Sequence, residues 1–256
     1  MGNGNQAIEF SAREKIREQK FNHIWEEKLE PAFADIARYY DWANYVASLG
    51  LWSWFRSQFL STIDLKSGYK ALDVCAGTNA IGIAMLKKQP DITVTAIDRS
   101  KAMQEAGRKS AEKKGLKIES NIGDVHKLPF PDNSFDVVTL QFASRHLRLL
   151  EVFGEINRVL KPGGNFYHCD MLRPASKTVE SLYYIFLKVC LAVTAWIARS
   201  NNDSKICKKY FIEAIRDFYS AEELEELCKH LGYVNTSHKT IFMGMLAFHK
   251  SQKEPG

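Results

Sequence analysis

Residues 71–86, ALDVCAGTNAIGIAML, begin as a hydrophobic strand, pass through a loop of small residues and continue as a helix. This order is typical of a nucleotide-binding corner in an α/β protein, with an ordinary βα loop as the alternative. The loop is not a P-loop, because Gly82 is followed by Ile83 and Ala84 instead of Lys and Ser or Thr. It also has Asn79 in place of the middle glycine of a dinucleotide-binding loop, which disfavours a pyrophosphate. Asn tolerates a positive φ, so a tight turn is still predicted.

Three aspartates lie near the ends of successive predicted strands. Asp98 ends the second strand, Thr93–Ile97, and an acidic residue about 20 positions past the glycine loop is placed to bind two ribose hydroxyls. Asp73 lies in the first strand, and Asp124 follows the third apolar run. Ligands of open parallel sheets bind at the carboxyl ends of the strands. Three carboxylates there suit a cationic ligand with a ribose and an exocyclic amine; three solvated aspartates are the alternative.

Further motifs are similar to those of one enzyme family. They are FADIARYYDWANYVASLG (33–50), LPFPDNSFDVVT (128–139), FASRHL (142–147), RVLKPGG (158–164), CDMLRP (169–174) and YFIEAIRDFYSAEEL (210–224). On these motifs the chain resembles, from about Phe33 to His249, the class I S-adenosylmethionine (SAM) methyltransferases. Among them it resembles the ubiquinone/menaquinone biosynthesis C-methyltransferase family. Three positions depart from the family pattern, and they bear on the substrate: Asn79 in the usual G-T-G, His146 where Asn is usual, and Asp170 where Glu is usual.

The resemblance and the alternation of strands and helices predict an α/β fold. We expect a Rossmann-like, doubly wound, mostly parallel seven-stranded sheet with a terminal antiparallel hairpin hinged near Gly244. Residues 1–64 are predicted as a helical cap over the cofactor site, with a charged helix over 7–30. Residues 65–256 are predicted as the SAM-binding core of the same structural domain.

Three local predictions concern the core. The fourth strand is expected over Val137–Phe142, and the sequence KPGG (161–164) is expected to form a turn before the fifth strand. An apolar helix, SLYYIFLKVCLAVTAWIA (181–198), is inserted after that strand, at about 180–200. It is interpreted either as a buried helix or as an interfacial lid over a lipid-like substrate.

The resemblance implies SAM as the cofactor and no metal. The cofactor-binding residues that it implies are Tyr40, Asp73, Ala76, Gly77, Thr78, Asn79, Asp98, Arg99, Met103, Asp124, Val125 and Gln141. Methyl transfer from a sulfonium to a ring carbon needs good orientation and help for a neighbouring phenol to lose its proton. Arg145 is the candidate to stabilise the phenolate, and His146 or a water the candidate to accept the proton. The alternatives are a surface ion pair for Arg145 and a structural role for His146.

We therefore predict a C-methyltransferase that acts on a demethylated polyprenyl quinol, either demethylmenaquinol or a related benzoquinol. The alternatives are a methyltransferase of another small hydrophobic acceptor and a non-catalytic SAM-binding assembly partner. A nicotinamide oxidoreductase is disfavoured by Asn79. The basic residues are scattered, so no nucleic-acid partner is expected.

Composition bears on location and partners. Five dispersed cysteines indicate reduced thiols in a cytoplasmic protein, and the N-terminus has no signal pattern. A net charge of +5 favours peripheral contact with an anionic membrane surface at its inner face. Whether the chain is a homodimer is left open by the sequence.

Overall fold

The computed structural model describes residues 3–37, 40–48, 50–174, 176–197 and 203–256. Helices precede and flank the sheet: α1 (Asn3–Glu27), α2 (Leu29–Ile36), α3 (Tyr40–Ala47), α4 (Trp52–Thr62), α5 (Ala80–Lys88), α6 (Lys101–Glu112), α7 (Leu149–Val159), α8 (Lys177–Ile197), α9 (Asp203–Arg216) and α10 (Ala221–His230). The strands are β1 (Lys70–Val74), β2 (Thr93–Asp98), β3 (Glu119–Ile122), β4 (Phe135–Gln141), β5 (Leu160–Met171), β6 (Tyr233–Ile241) and β7 (Leu246–Lys253).

The described strands form one seven-stranded sheet in the order β3-β2-β1-β4-β5-β7-β6. The first five strands pair in parallel, whereas β7 is antiparallel to both β5 and β6. The chain order reverses between β1 and β4, so the carboxyl ends of these two strands flank the switch point where ligands bind in such sheets. The predicted fold class is confirmed.

Both faces of the sheet are covered, which accounts for the near-continuous apolar runs of its central strands. Leu72 of β1 and Val138 of β4 belong to one buried cluster together with Phe153 of α7. Ala71, the neighbour of Leu72, points to the opposite face and belongs to a second cluster with Met85 of α5. These packed layers hold the loops at the carboxyl ends of the strands in place.

The N-terminal helices are joined to this core. Glu14 of α1 accepts hydrogen bonds from the backbone N–H of Leu149, at the start of α7, and from the hydroxyl of Tyr219. The side chain of Arg13 donates to the carbonyl of Phe218. The first helix begins four residues and ends three residues earlier than the predicted range of 7–30, and α2 begins at Leu29.

Two predicted boundaries in the core were wrong. Strand β4 ends at Gln141 instead of Phe142, because Phe142 has a φ of 56° and cannot continue an extended strand. The KPGG segment does not precede β5 but lies within it, where the pairing with β4 shifts register. Gly163 has a φ of 76° in this irregular stretch. The predicted hinge of the terminal hairpin is confirmed by the turn Phe242–Gly244.

The predicted apolar helix corresponds to α8, which presents two different faces. Tyr183 and Leu187 are buried in a cluster with Ile215 of α9, while Leu182 and Ile185 are exposed. The predicted segment extends to residue 198, which lies outside the described residues. Within the described ranges, none of the helices has the length and apolar character needed to cross a membrane.

Candidate active site

A cavity of about 470 Å³ opens at the carboxyl ends of β1, β2, β3 and β4. It is the space in which the predicted cofactor residues converge. Those that line it are Tyr40, Gly77, Asp98, Arg99, Met103, Asp124, Val125 and Gln141, and the candidate catalytic residue His146 lines it as well.

A smaller cavity of about 50 Å³ adjoins the first, since both are lined by Tyr40, Gly77 and Gln141. It contains three more of the predicted cofactor residues on its wall, Asp73, Ala76 and Thr78. The amide nitrogen of Gln141 is buried and has no hydrogen-bond partner among the described residues. An unpaired buried donor between the two cavities fits a polar ligand that extends across both.

Asp98 lies where the glycine loop and the start of α6 meet. One carboxylate oxygen accepts the backbone N–H of Gly77 at 2.8 Å, and the other accepts that of Ser100 at 2.8 Å. Arg99, between them, is exposed at the cavity. The half-buried carboxylate therefore fixes both loops, and its position at the cavity suits the ribose role that the sequence predicts.

The side chain of Asn79 turns away from both cavities. Its backbone has a φ of 57°, as predicted, and caps the start of α5. The side-chain oxygen accepts a hydrogen bond from Gln104 at 2.9 Å, and the amide group donates to Ser120 at 3.3 Å. Asn79 was predicted as a cofactor ligand, but the structure places it behind the loop, where it supports the loop's shape.

Two residues at the centre of the site have strained backbones. Cys75, directly after β1, has a φ of 54°, and Phe142, directly after β4, has a φ of 56°. Both line the main cavity. A positive φ is unfavourable for such side chains, and strain of this kind is concentrated at functional sites. The indole of Trp52 stacks on Phe142, with ring centroids 4.7 Å apart, and holds it in this conformation.

Asp73, the penultimate residue of β1, is buried and lines only the smaller cavity. The hydroxyl of Thr139 on β4 donates to one of its carboxylate oxygens at 2.7 Å. Burial raises the pKa of Asp73 to about 7, although the hydrogen bond from Thr139 acts in the opposite direction. The three predicted aspartates are therefore not equivalent: Asp98 and Asp124 line the main cavity, and Asp73 lines the smaller one.

Arg145 lies behind the cavity wall and lines neither cavity. Its guanidinium forms a buried ion pair with Asp170, a contact that replaces the surface ion pair considered from the sequence. Asp170 also accepts hydrogen bonds from the hydroxyl of Ser144 and from the backbone N–H of Met171. The backbone carbonyl of Arg145 accepts a hydrogen bond from Arg17 of α1 at 3.1 Å.

The positive charge of Arg145 nevertheless acts on the cavity. Burial raises the pKa of Tyr40 and of Tyr210, and the charge of Arg145 opposes that shift at both phenols. Tyr40 lines both cavities. A phenol bound in the same space would experience the same field, which favours its ionised form. Stabilisation of a phenolate by Arg145 stays a prediction. Because Arg145 does not line either cavity, the stabilisation would be electrostatic and would not involve direct contact.

His146 lies in the main cavity wall, in the short helical turn Ser144–His146 that follows β4. Its Nδ1 is hydrogen-bonded to the hydroxyl of Tyr210. Burial, together with the charges of Arg145 and Arg17, holds the pKa of His146 well below its ordinary value. The imidazole is therefore neutral at physiological pH.

Three residues of the predicted N-terminal cap were missed as part of the site. Trp25, Leu29 and Phe33 line the main cavity together with the polar loops after β1 and β2. Trp25 lies in the part of the cap that was described only as a charged helix; a lone tryptophan among charged residues was the available signal. Tyr210 was recognised as part of a family motif, but no role was given to it.

The ubiE/COQ5 methyltransferase family matches residues 21–253. A demethylmenaquinone methyltransferase from Symbiobacterium thermophilum is 30% identical over 234 residues, which cover 89% of this chain and 93% of the relative. The demethylmenaquinone methyltransferase of Staphylococcus aureus (strain JH9) is 30% identical over 236 residues, 91% of this chain and 96% of the relative.

A SAM-dependent methyltransferase from Aquifex aeolicus is similar over 77% of this chain and 89% of that chain, with a TM-score of 0.54 and 20% identity. At this identity the likeness concerns the fold alone, and it agrees with the sheet described above.

Proposed function

The chain belongs to the ubiE/COQ5 methyltransferase family, and we propose that it methylates a ring carbon of a demethylated polyprenyl quinol. The family predicted from the sequence motifs is thereby confirmed, and SAM is the cofactor. This membership disfavours both the nicotinamide oxidoreductase and the non-catalytic binding protein considered above. The remaining alternative is a different small hydrophobic methyl acceptor.

The observation that carries the proposal is the mixed lining of the main cavity. The polar loops with Gly77, Asp98 and Asp124 line it and suit the ribose and adenine of a nucleoside. Trp25 and Phe33 also line it and suit a flat, apolar ring. The two similar relatives are both named demethylmenaquinone methyltransferases, which supports a quinol as that ring.

The residues of the chain have two tasks in this reaction. When bound, SAM supplies an electrophilic methyl group. The loops around Asp98 and the aromatic wall hold the two reactants in line, and good orientation alone can lower a barrier by about 7–11 kcal/mol. The field of Arg145 favours loss of the proton from the quinol hydroxyl, which makes the adjacent ring carbon more nucleophilic.

A bacterial strain that lacks its own quinone C-methyltransferase tests the proposal in cells. Expression of this chain should convert the accumulated demethylated quinone into the methylated form, measured by mass spectrometry of extracted lipids. A variant with Asp98→Ala serves as the control and should leave the demethylated form in place. An unchanged quinone profile with a soluble, folded protein would favour the alternative acceptor.

We also propose that the enzyme binds peripherally at the inner face of a membrane, where a polyprenyl substrate resides. Support comes from exposed apolar side chains on α8, where Leu182, Ile185 and Val189 are each more than half exposed. Around the hairpin turn, Trp54 is in edge contact with the exposed Phe242. Such side chains, with a net charge of +5, suit the interface of an anionic bilayer.

Flotation with vesicles tests this contact. We expect the protein to float with phosphatidylglycerol vesicles at low salt, to be released at high salt, and to bind phosphatidylcholine vesicles weakly. A Leu182→Ser/Ile185→Ser variant should bind less, whereas Ile16→Ser on α1, also exposed, should bind as the wild type does. A protein that stays wholly in the soluble fraction at low salt would contradict the proposal.

A further inference from the structure

We propose that Trp25 and Tyr210 hold His146 in one tautomer, so that His146 presents a hydrogen-bond donor to the methyl acceptor and does not act as a proton acceptor. The tautomer follows from the protein alone. The identity of the oxygen that receives the hydrogen bond rests on the proposed function.

The direction of each hydrogen bond follows from the chemistry of the three side chains. The indole nitrogen of Trp25 carries a proton and has no lone pair to offer, so it must donate to the hydroxyl oxygen of Tyr210, 2.8 Å away. The hydroxyl of Tyr210 also contacts Nδ1 of His146. The Tyr210 hydroxyl has one proton to donate, and the available acceptor is Nδ1 of His146. Nδ1 is therefore the acceptor in this hydrogen bond.

The reverse arrangement is unfavourable. If Nδ1 of His146 carried the proton, the Tyr210 oxygen would accept from both neighbours and its own proton would need a third partner. Within the part of the chain that the structure describes, the hydroxyl of Tyr210 has no third hydrogen-bond partner. Burying a hydroxyl proton without an acceptor is unfavourable, and this biases the ring to one tautomer.

The proton of the neutral ring is consequently on Nε2. This nitrogen is buried and has no hydrogen-bond partner among the described residues, although the ring of His146 lines the main cavity. The aromatic rings of Phe33 and Phe211 meet the imidazole edge to face and offer it no acceptor. Nε2–H is therefore a buried donor at the cavity wall without an acceptor in the described part of the chain, and an oxygen atom of a ligand would supply one.

A fixed donor has a defined use in the proposed reaction. As the ring carbon of a quinol becomes nucleophilic, negative charge collects on the adjacent oxygen, and a preorganised N–H stabilises that charge. The positive charge of Arg145 and a hydrogen bond from His146 would then stabilise the same oxygen. The proton itself would leave to water, because the outward nitrogen of His146 already carries one.

Nuclear magnetic resonance of the free protein tests the tautomer. Long-range proton–nitrogen correlation spectra of ring-labelled histidines show which nitrogen of each neutral ring carries a proton. The chain has seven histidines, and a His146→Gln variant assigns the signals of His146 by their loss. We expect a protonated Nε2 and a bare Nδ1, with the Nδ1 signal shifted in Tyr210→Phe. A protonated Nδ1 in the wild type would overturn the inference.

Kinetics with a methyl acceptor then separate a donor from a base. Glutamine reaches about as far as imidazole Nε2 and can donate a hydrogen bond there, but it cannot take up a proton. His146→Ala should lower kcat about 10²-fold with the KM for SAM unchanged, and His146→Gln should recover most of that loss. Equal loss in both variants would show that His146 acts as a base. Since the spectra need no substrate, failure of the quinol proposal leaves the tautomer result standing.

Discussion

Asp98 and Asp73 lie in neighbouring strands, but different groups surround their carboxylates. Asp98 accepts two backbone N–H groups and is half-buried at the main cavity. Asp73 is almost fully buried, and the hydrogen bond from Thr139 is the one it accepts with good geometry among the described side chains. The first environment stabilises a charge, whereas the second disfavours one. We therefore expect replacement of Asp98 to change SAM binding, and replacement of Asp73 to change how stability depends on pH.

Replacement of Asp98 tests the cofactor site. Charge-assisted hydrogen bonds contribute about 1.5–3 kcal/mol each, so loss of the two expected to the ribose should weaken SAM binding in Asp98→Ala at least about 10²-fold. Asp98→Asn keeps one acceptor and should lie between Ala and the wild type. Isothermal titration calorimetry measures both. Unchanged affinity in Asp98→Ala, or tighter binding of NADH than of SAM, would contradict the site.

The raised pKa of Asp73 predicts a pH-dependent stability. Between about pH 4 and pH 7 the folded state binds a proton that the unfolded state has lost, so the free energy of unfolding should fall as the pH rises through this range. Asp73→Asn removes the titrating group. If it matches the wild type near pH 5, it should exceed it at pH 8 by about 3 kcal/mol, because about two pKa units separate pH 5 from the folded pKa. Urea denaturation at the two pH values measures this, and a pH-independent difference would be evidence against the assignment.

Removal of Arg145 leaves Asp170 as an uncompensated buried charge. We expect Arg145→Ala to lower the free energy of unfolding by about 3–5 kcal/mol. In the folded enzyme, kcat should fall about 10²–10³-fold with SAM affinity intact. Arg108→Ala, which breaks an exposed pair with Glu112, is the matched control and should change stability by less than about 1 kcal/mol. A kcat of Arg145→Ala equal to that of the wild type would show that Arg145 does not stabilise the phenolate.

At the scale of elements, the shape of the glycine loop depends on how closely α6 packs against it. A Cβ atom on Gly107 of α6 would lie 2.7 Å from the backbone carbon of Thr78 and 2.8 Å from the amide of Asn79. Gln104, one turn earlier, donates to the carbonyl of Gly77 at 3.0 Å. Helix α6 therefore packs directly against the loop. This packing requires a glycine at position 107, because a Cβ atom there would collide with Thr78 and Asn79.

A Gly107→Ala substitution should push the loop toward the cavity. Because the obstructing atoms are backbone and a buried amide, we expect lower stability and SAM binding weakened about 10-fold or more. Gly154→Ala on α7 is the control, since a Cβ there meets nothing within 4 Å. It should stabilise the protein by about 0.5–1 kcal/mol, as expected for Ala in a helix. Thermal unfolding and calorimetry distinguish the two, and identical behaviour would refute the loop argument.

At the scale of the whole molecule, the parts that the sequence predicted are those set by local pattern. Hydrophobic runs with loop residues between them predicted the doubly wound sheet, and the backbone tolerance of Asn predicted the turn at Asn79. The parts that were missed depend on contacts between distant segments. Arg145 and Asp170 are 25 residues apart in the sequence, and Trp25 and Tyr210 are 185 residues apart. Hydrophobic periodicity predicts local structure, so it does not predict contacts between residues this far apart.

The same long-range contacts make the site a property of the complete fold. Trp25 of the first helix contacts Tyr210 of α9, and Tyr210 contacts the imidazole of His146, while the sheet supplies the polar loops that line the same cavity. A methyl acceptor would thus be enclosed between the N-terminal helices and the core. We expect that this enclosed acceptor is a quinol and that its ring carbon is methylated.

A methyl-transfer assay with purified protein, SAM labelled at its methyl group, and demethylmenaquinol tests both points. It is run without oxygen, so that the acceptor stays reduced and nucleophilic. We predict a labelled product, and we expect magnetic resonance to show its methyl group on a ring carbon. The Asp98→Ala variant should not form this product. A label found on a quinol oxygen, or no transfer to the quinol by protein that binds SAM, would contradict the account.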